Sequence, residues 1–222
     1  AIVTAGFAGT YVLMISVFNM VGRIFWASMS DFIGRKPTYF IFFSLGILLY
    51  LSIPFTAKAM SIDPIVTYLI LFYAASMVIF TMYGGGFATI PAYLADIFGT
   101  KYVGGIHGRL LTAWSTAGVL GPVAITQLRQ NSVDSAINDL VSKISPEKFT
   151  EIYGASVENL SLLVQEKTVT ISNLMPHMPE GTINPSTTLY NSTMFAMAGL
   201  LAIAFVANLL IGPVNEKHHM KE

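Results

Sequence analysis

Gly22-Arg23-Ile24-Phe25-Trp26-Ala27-Ser28-Met29-Ser30-Asp31-Phe32-Ile33-Gly34-Arg35-Lys36 is the stretch that decides the fold. Residues 1–22 before it carry no charge. Arg23 is therefore a lone cation in an apolar helix, eight residues ahead of the charged loop that begins at Asp31. With a membrane boundary near Ser30, a rise of about 1.5 Å per residue puts Arg23 roughly 10 Å inside the bilayer. A guanidinium at that depth costs several kcal/mol unless it meets water, a partner or a ligand. Arg23 is thus a candidate functional residue on physical grounds alone.

The rest of the chain fits an all-α membrane protein. Apolar residues make up 54% and charged residues 11%, too few charges to cover a soluble surface of this size. The net charge is zero, which removes any argument for a nucleic-acid or strongly acidic partner. Cysteine is absent, so disulfides and thiolate chemistry are excluded. The chain opens on Ala rather than Met, with no leader-like segment, and is expected to be a piece of something longer.

A hydrocarbon core of about 30 Å needs about 20 apolar residues per helix. Uncharged stretches of that length predict five spans, at 4–28, 38–57, 65–92, 109–127 and 191–213. Arg35, Lys36, Lys101 and Arg109 fall on one side, with Lys217 and Lys221 in the tail, while the short opposite loop holds Lys58. The positive-inside rule places the first group in the cytoplasm and residues 128–188 outside. That outer segment has seven acidic and four basic residues and reads as a structural cap or an insert, with a binding module as the alternative. Ser145-Pro146-Glu147 predicts a capped helix start, Val157 to Val169 an amphipathic helix, and the proline-rich Asn173 to Ser186 an extended or loop segment.

Two blocks resemble a known superfamily. Ser30 to Lys36 resembles the loop motif G-x-x-x-D-R/K-x-G-R-R/K of the major facilitator superfamily, with Asp31, Gly34, Arg35 and Lys36 in register and Ala27 and Phe32 departing from it. Here Gly34 permits a tight turn, the basic pair anchors to the cytoplasmic face, and Asp31 can meet a helix N-terminus. Tyr83 to Thr100 (Tyr-Gly-Gly-Gly-Phe-Ala-Thr-Ile-Pro-Ala-Tyr-Leu-Ala-Asp-Ile-Phe-Gly-Thr), followed by Gly104 to Pro122, is similar to the oxalate/formate antiporter family of that superfamily. The resemblance covers about residues 15–125 and the last helix. It implies helices eight to twelve of a twelve-helix carrier: residues 1–127 as four helices of the C-terminal half, 128–188 as an external insertion, and 189–222 as the last helix and cytoplasmic tail.

The same resemblance implies a substrate site. Arg23 aligns with a helix-eight arginine that binds the substrate carboxylate, and a guanidinium suits that task because it grips a carboxylate with two parallel hydrogen bonds. The competing reading is an arginine that ties helix ends together, with Asp96 as partner. Asn19 lies one turn earlier on the same face, where animal monocarboxylate carriers have a proton-coupling aspartate; an amide cannot take up that proton. Trp114 stands where an oxalate carrier of the family has lysine. A dianion favours two cations and a monocarboxylate needs one, which points to lactate, pyruvate or formate over oxalate. Tyr83 is a candidate contact beside Gly84 to Gly86, three glycines that permit close packing or gating. Tyr11, Tyr73 and Ser76 are further cavity candidates. Asp31, Gly34, Arg35, Lys36, Asp96 and Arg109 form the loop and inner-gate group, with an Asp96–Arg109 pair expected and His107 as a proton-relay candidate.

These readings predict a secondary transporter of small organic monocarboxylates working by alternating access in the plasma (inner) membrane. Its partners are a small carboxylate, protons, the lipid bilayer and the N-terminal half of the carrier. The alternatives are an oxalate/formate exchanger and a transporter-derived membrane sensor or interaction protein. No nucleophile–base set, nucleotide loop or metal-ligand spacing occurs, so the expectation is no enzyme, no cofactor and no metal.

Overall fold

The computed structural model describes residues 5–62, 66–212 and 214; Lys217 and Lys221 of the tail lie outside them. All regular structure among the described residues is helical. Eight α-helices follow in order: α1 Ala5–Ile33, α2 Arg35–Ile62, α3 Val66–Phe98, α4 Val103–Val141, α5 Pro146–Tyr153, α6 Leu160–Gln165, α7 Ile171–Leu174 and α8 Asn191–Leu210.

Among the described residues, four segments are long and apolar enough to cross a bilayer: Gly9–Ile33, Arg35–Ala59, Val66–Phe98 and Pro185–Leu210. The expected fifth span, 109–127, lies in α4 and falls short of the same standard, because Thr112, Ser115, Thr116, Gly118, Gly121 and Pro122 dilute its leucines and valines. Nor does that helix stop at 127. It runs unbroken to Val141, so the expected boundary at 127/128 falls inside it. Val133, Ile137, Leu140 and Val141 recur at helical spacing and carry an apolar face onward into the next layer.

The bundle is ordered by its contacts: α1 packs on α3, α3 on α2, and α2 on α8, with α4 more loosely held. Helices α1 and α3 are parallel, as Tyr11 meets Tyr73 at 4.8 Å near their starts and Trp26 meets Gly85 further along. Their crossing is built on glycine. A methyl group at Gly22 would run into the Thr81 backbone, and one at Gly84 into the Asn19 backbone. Close approach of this kind lets dispersion contacts hold helices that gain nothing from expelling lipid. Helices α2 and α8 are antiparallel, with Phe40 on Phe205 at 4.9 Å and Gly46 opposite Leu201.

Residues 133–189 build a separate small core at the far end of α4. Phe149 and Leu174 are fully buried there, packed with Ile137, Leu140, Val169 and Ile171. The Ser145 hydroxyl caps α5 by accepting from the Lys148 N–H, with Pro146 in the first turn. The helix expected over 157–169 is instead a 3-10 turn, Val157–Asn159, and the short α6, after which the chain reverses at Lys167 (φ 58°) to send Val169 into the core. Over 173–186 the chain holds the end of α7, two 3-10 turns and loop. Asn173 fixes this region: its side chain accepts from the Thr170 N–H (2.7 Å) and Tyr153 Oη (3.3 Å) and donates to the Thr168 carbonyl (2.6 Å). Burial pushes the Tyr153 phenol up.

Candidate functional site

Asn19 and Arg23 sit one turn apart on α1, and the Arg23 Nε donates to Asn19 Oδ1 at 3.2 Å. Arg23 is exposed beside the equally exposed Met20, Val21, Ile24 and Phe25. Ion pairs among the described residues join Arg35 to Asp31 and Asp96, and Lys143 to Asp139. No acid faces Arg23 in that set. Its Asn19 contact fixes one edge of the guanidinium, and the planar terminal nitrogens supply the fork that matches a carboxylate.

Tyr83 and Trp114 belong to a different neighbourhood. They line a cavity of about 340 Å³ between α2, α3, α4 and α8, which Asn19 and Arg23 do not line. Phe87 links them, with ring centroids 5.1 Å from Tyr83 and 5.4 Å from Trp114, both edge to face. His107 lines the same cavity, and its buried Nδ1 has no hydrogen-bond partner among the described residues. Tyr83 nevertheless stands next to Gly84, the residue pressed against the Asn19 backbone, so the two neighbourhoods adjoin at the α1–α3 crossing. The other cavity candidates are packed. Ser76 is buried and donates to the Phe72 carbonyl (2.8 Å), and Tyr11 stands edge-on to Tyr73.

The loop group gathers at the end where α1, α3 and α8 stop and α2 and α4 begin. Gly34 adopts φ 91°, a conformation that L side chains rarely take, and closes the α1–α2 turn. Asp31, in the last turn of α1, pairs with Arg35, the first residue of α2. Asp96 pairs with Arg35 at 3.7 Å and not with Arg109, which is exposed and forms no ion pair among the described residues. The expected inner-gate pair is therefore replaced by a loop-to-α3 pair. The cause is positional: the α1–α2 loop lies over the last turn of α3, whereas α4 is only lightly packed on α3. Lys36 spans to α8, donating to the Leu209 (3.0 Å) and Ile211 (2.5 Å) carbonyls, the orphan acceptors of a helix end.

A polar network beside this cap escaped sequence reasoning. Asn208, almost fully buried, donates to the Lys36 carbonyl (3.3 Å) and accepts from Tyr93 Oη (3.1 Å). Tyr93 stacks on Tyr39, whose hydroxyl donates to the Gly86 carbonyl at 2.7 Å. A lone asparagine in an apolar span was the available signal, because a buried amide needs partners.

The chain is similar to a membrane antiporter. Over 117 residues it is 29% identical to the oxalate:formate antiporter of Oxalobacter formigenes. The match covers 51% of this chain and 26% of that relative, so the chain spans about a quarter of the relative's length. No family model matches the chain, and no solved structure does. The apolar helices and the antiporter likeness together support an integral membrane protein of transporter type.

Proposed function

We propose that this chain is the C-terminal part of a major facilitator carrier that moves small organic monocarboxylates, of the lactate, pyruvate or formate kind, by alternating access. The observation that carries the reading is Arg23: a cation within a span, oriented by Asn19, with no acid opposite among the described residues. A cation in hydrocarbon is retained where it has a ligand, and the ligand that matches its fork is a carboxylate. Asn19 holds the guanidinium, and Tyr83 stands at the adjoining crossing beside Gly84. The other wall of the pathway is the N-terminal half of the carrier, and the two halves rock about the site. Asp31, Gly34, Arg35, Lys36 and Asp96 stiffen the cytoplasmic end, and Arg109 stays available for the opposite half when that end closes.

Trp114, in the adjoining cavity, carries the reading of the charge class. It places an aromatic ring, not a second cation, on α4, which suits one carboxylate better than two. A second reading, exchange of oxalate for formate, is favoured by the likeness to an oxalate:formate antiporter; it requires the second cation to come from the N-terminal half. Uptake of labelled lactate and labelled oxalate by the full-length protein in proteoliposomes separates them. Lactate uptake without oxalate uptake is expected, rising with an inward proton gradient if protons are coupled. Oxalate uptake driven by internal formate would favour the exchanger, and transport of neither acid would remove the carboxylate reading. Trp114→Lys should raise the oxalate-to-lactate ratio; an unchanged ratio would undo the charge argument.

A further inference from the structure

The small domain at the far end of α4 contains a cavity of about 960 Å³, walled by α4, α6, the turn at Lys167 and the start of α7. Its floor is the domain's own core, Ile137, Val169, Ile171 and Leu189. Its lining also includes polar groups and two exposed cations, Arg129 on α4 and Lys167 after α6.

The charge distribution is not what this domain's composition would give. Residues 128–188 hold seven acids and four bases, yet the cavity takes two of the four bases and one of the seven acids. That acid, Asp134, already accepts from the Gln130 side chain at 2.8 Å. Neither Arg129 nor Lys167 forms an ion pair among the described residues; Arg129 lies over the Tyr190 ring at 5.7 Å, which fixes the side chain without neutralising it.

Lys167 adds an independent observation. Its φ of 58° closes the end of α6 in the left-handed region, where glycine or asparagine is the ordinary choice and a long side chain is strained. It is the only non-glycine residue with positive φ among the described residues. Glycine would relieve the backbone at this point, and the long side chain that stands there instead lines the cavity.

We infer that this cavity is a second binding site, separate from the α1 face, for an organic carboxylate with an apolar body. Arg129 and Lys167 take the carboxylate, and the aliphatic floor takes the body. This site does not depend on the transport reading, since it uses no residue of α1, α2 or α3.

The test uses the full chain in lipid nanodiscs, with phenylacetate as probe and phenylacetamide as its uncharged counterpart, followed by saturation-transfer NMR. Phenylacetate should bind at least about tenfold more tightly than the amide, which loses the charge assistance of both contacts. Lys167→Gly relaxes the turn, so its melting temperature should hold or rise while phenylacetate binding weakens about tenfold. Arg129→Gln should weaken binding similarly, and Lys148→Gln, an exposed cation of the same domain outside the cavity, should leave it unchanged. Equal binding of acid and amide, or full binding by Lys167→Gly, would overturn the proposal. Loss of binding in Arg23→Lys with retention in Lys167→Gly would also overturn it, by placing the acid on the bundle.

Discussion

The bundle and the small domain are built from similar residues placed in opposite ways. In the bundle, Val12, Leu13, Ile24, Leu48, Leu200 and Ile203 point outward, while glycines and hydrogen-bonded polar groups occupy the contacts. In the small domain, Phe149, Leu140 and Leu174 are hidden, and acids and lysines cover the surface. The difference follows from the solvent. Water rewards burial at about 25 cal/mol per Å² of apolar surface, whereas lipid does not, so membrane helices associate through close packing and polar pairing. One helix, α4, takes part in both regimes. Its upper half belongs to the bundle and its far half supplies one wall of an aqueous-type core.

The comparison is most sharply broken at the α1–α3 crossing. Gly84→Leu places a side chain where the Asn19 backbone lies, and should abolish recovery of folded, monodisperse protein. Gly86→Ala, two residues on and facing open space, should be tolerated and even gain about 1 kcal/mol in helix propensity. Equal behaviour of the two variants in size-exclusion profiles and thermal melts would mean that glycine packing does not hold the bundle. Next in size, Phe149→Ala should cost the small domain about 3–5 kcal/mol, the usual loss for a buried aromatic. Hydrogen exchange should then rise across 137–174 while the α1–α3 crossing stays protected; loosening of both together would show one cooperative unit. The smallest effect is expected at the cap. Asn208→Leu leaves the Tyr93 hydroxyl without its acceptor and should cost about 1–3 kcal/mol, read as faster exchange at the end of α8.

Much of the bundle was legible in the sequence because bilayer thickness sets helix length: the spans expected at 38–57, 65–92 and 191–213 fall within or close to α2, α3 and α8. The far half of α4 is not legible because the charges that begin at Arg129 mark a membrane boundary and say nothing of a helix end. The spacing of Val133, Ile137 and Leu140 continued the helix regardless. The reversal at Lys167 was hidden for another reason: no glycine marks it, and only the pull of Val169 into the core explains it. Of the candidate site, the Asn19–Arg23 pair was readable from one-turn spacing, whereas the separation of Trp114 from Arg23 was not, since it depends on how loosely α4 meets α3. The partner of Asp96 is not legible in the sequence, because sequence distance says nothing about which cation lies over the last turn of α3.

The central claim is that Arg23 holds the carboxylate of a transported acid. Its most direct test is initial-rate uptake of labelled lactate by full-length wild-type and Arg23→Lys proteins at matched amounts in proteoliposomes. Lysine keeps the charge but loses the planar fork, so uptake should fall at least about tenfold, while insertion and the melting temperature stay as in wild type. Wild-type uptake by Arg23→Lys would contradict the account and remove Arg23 from the site.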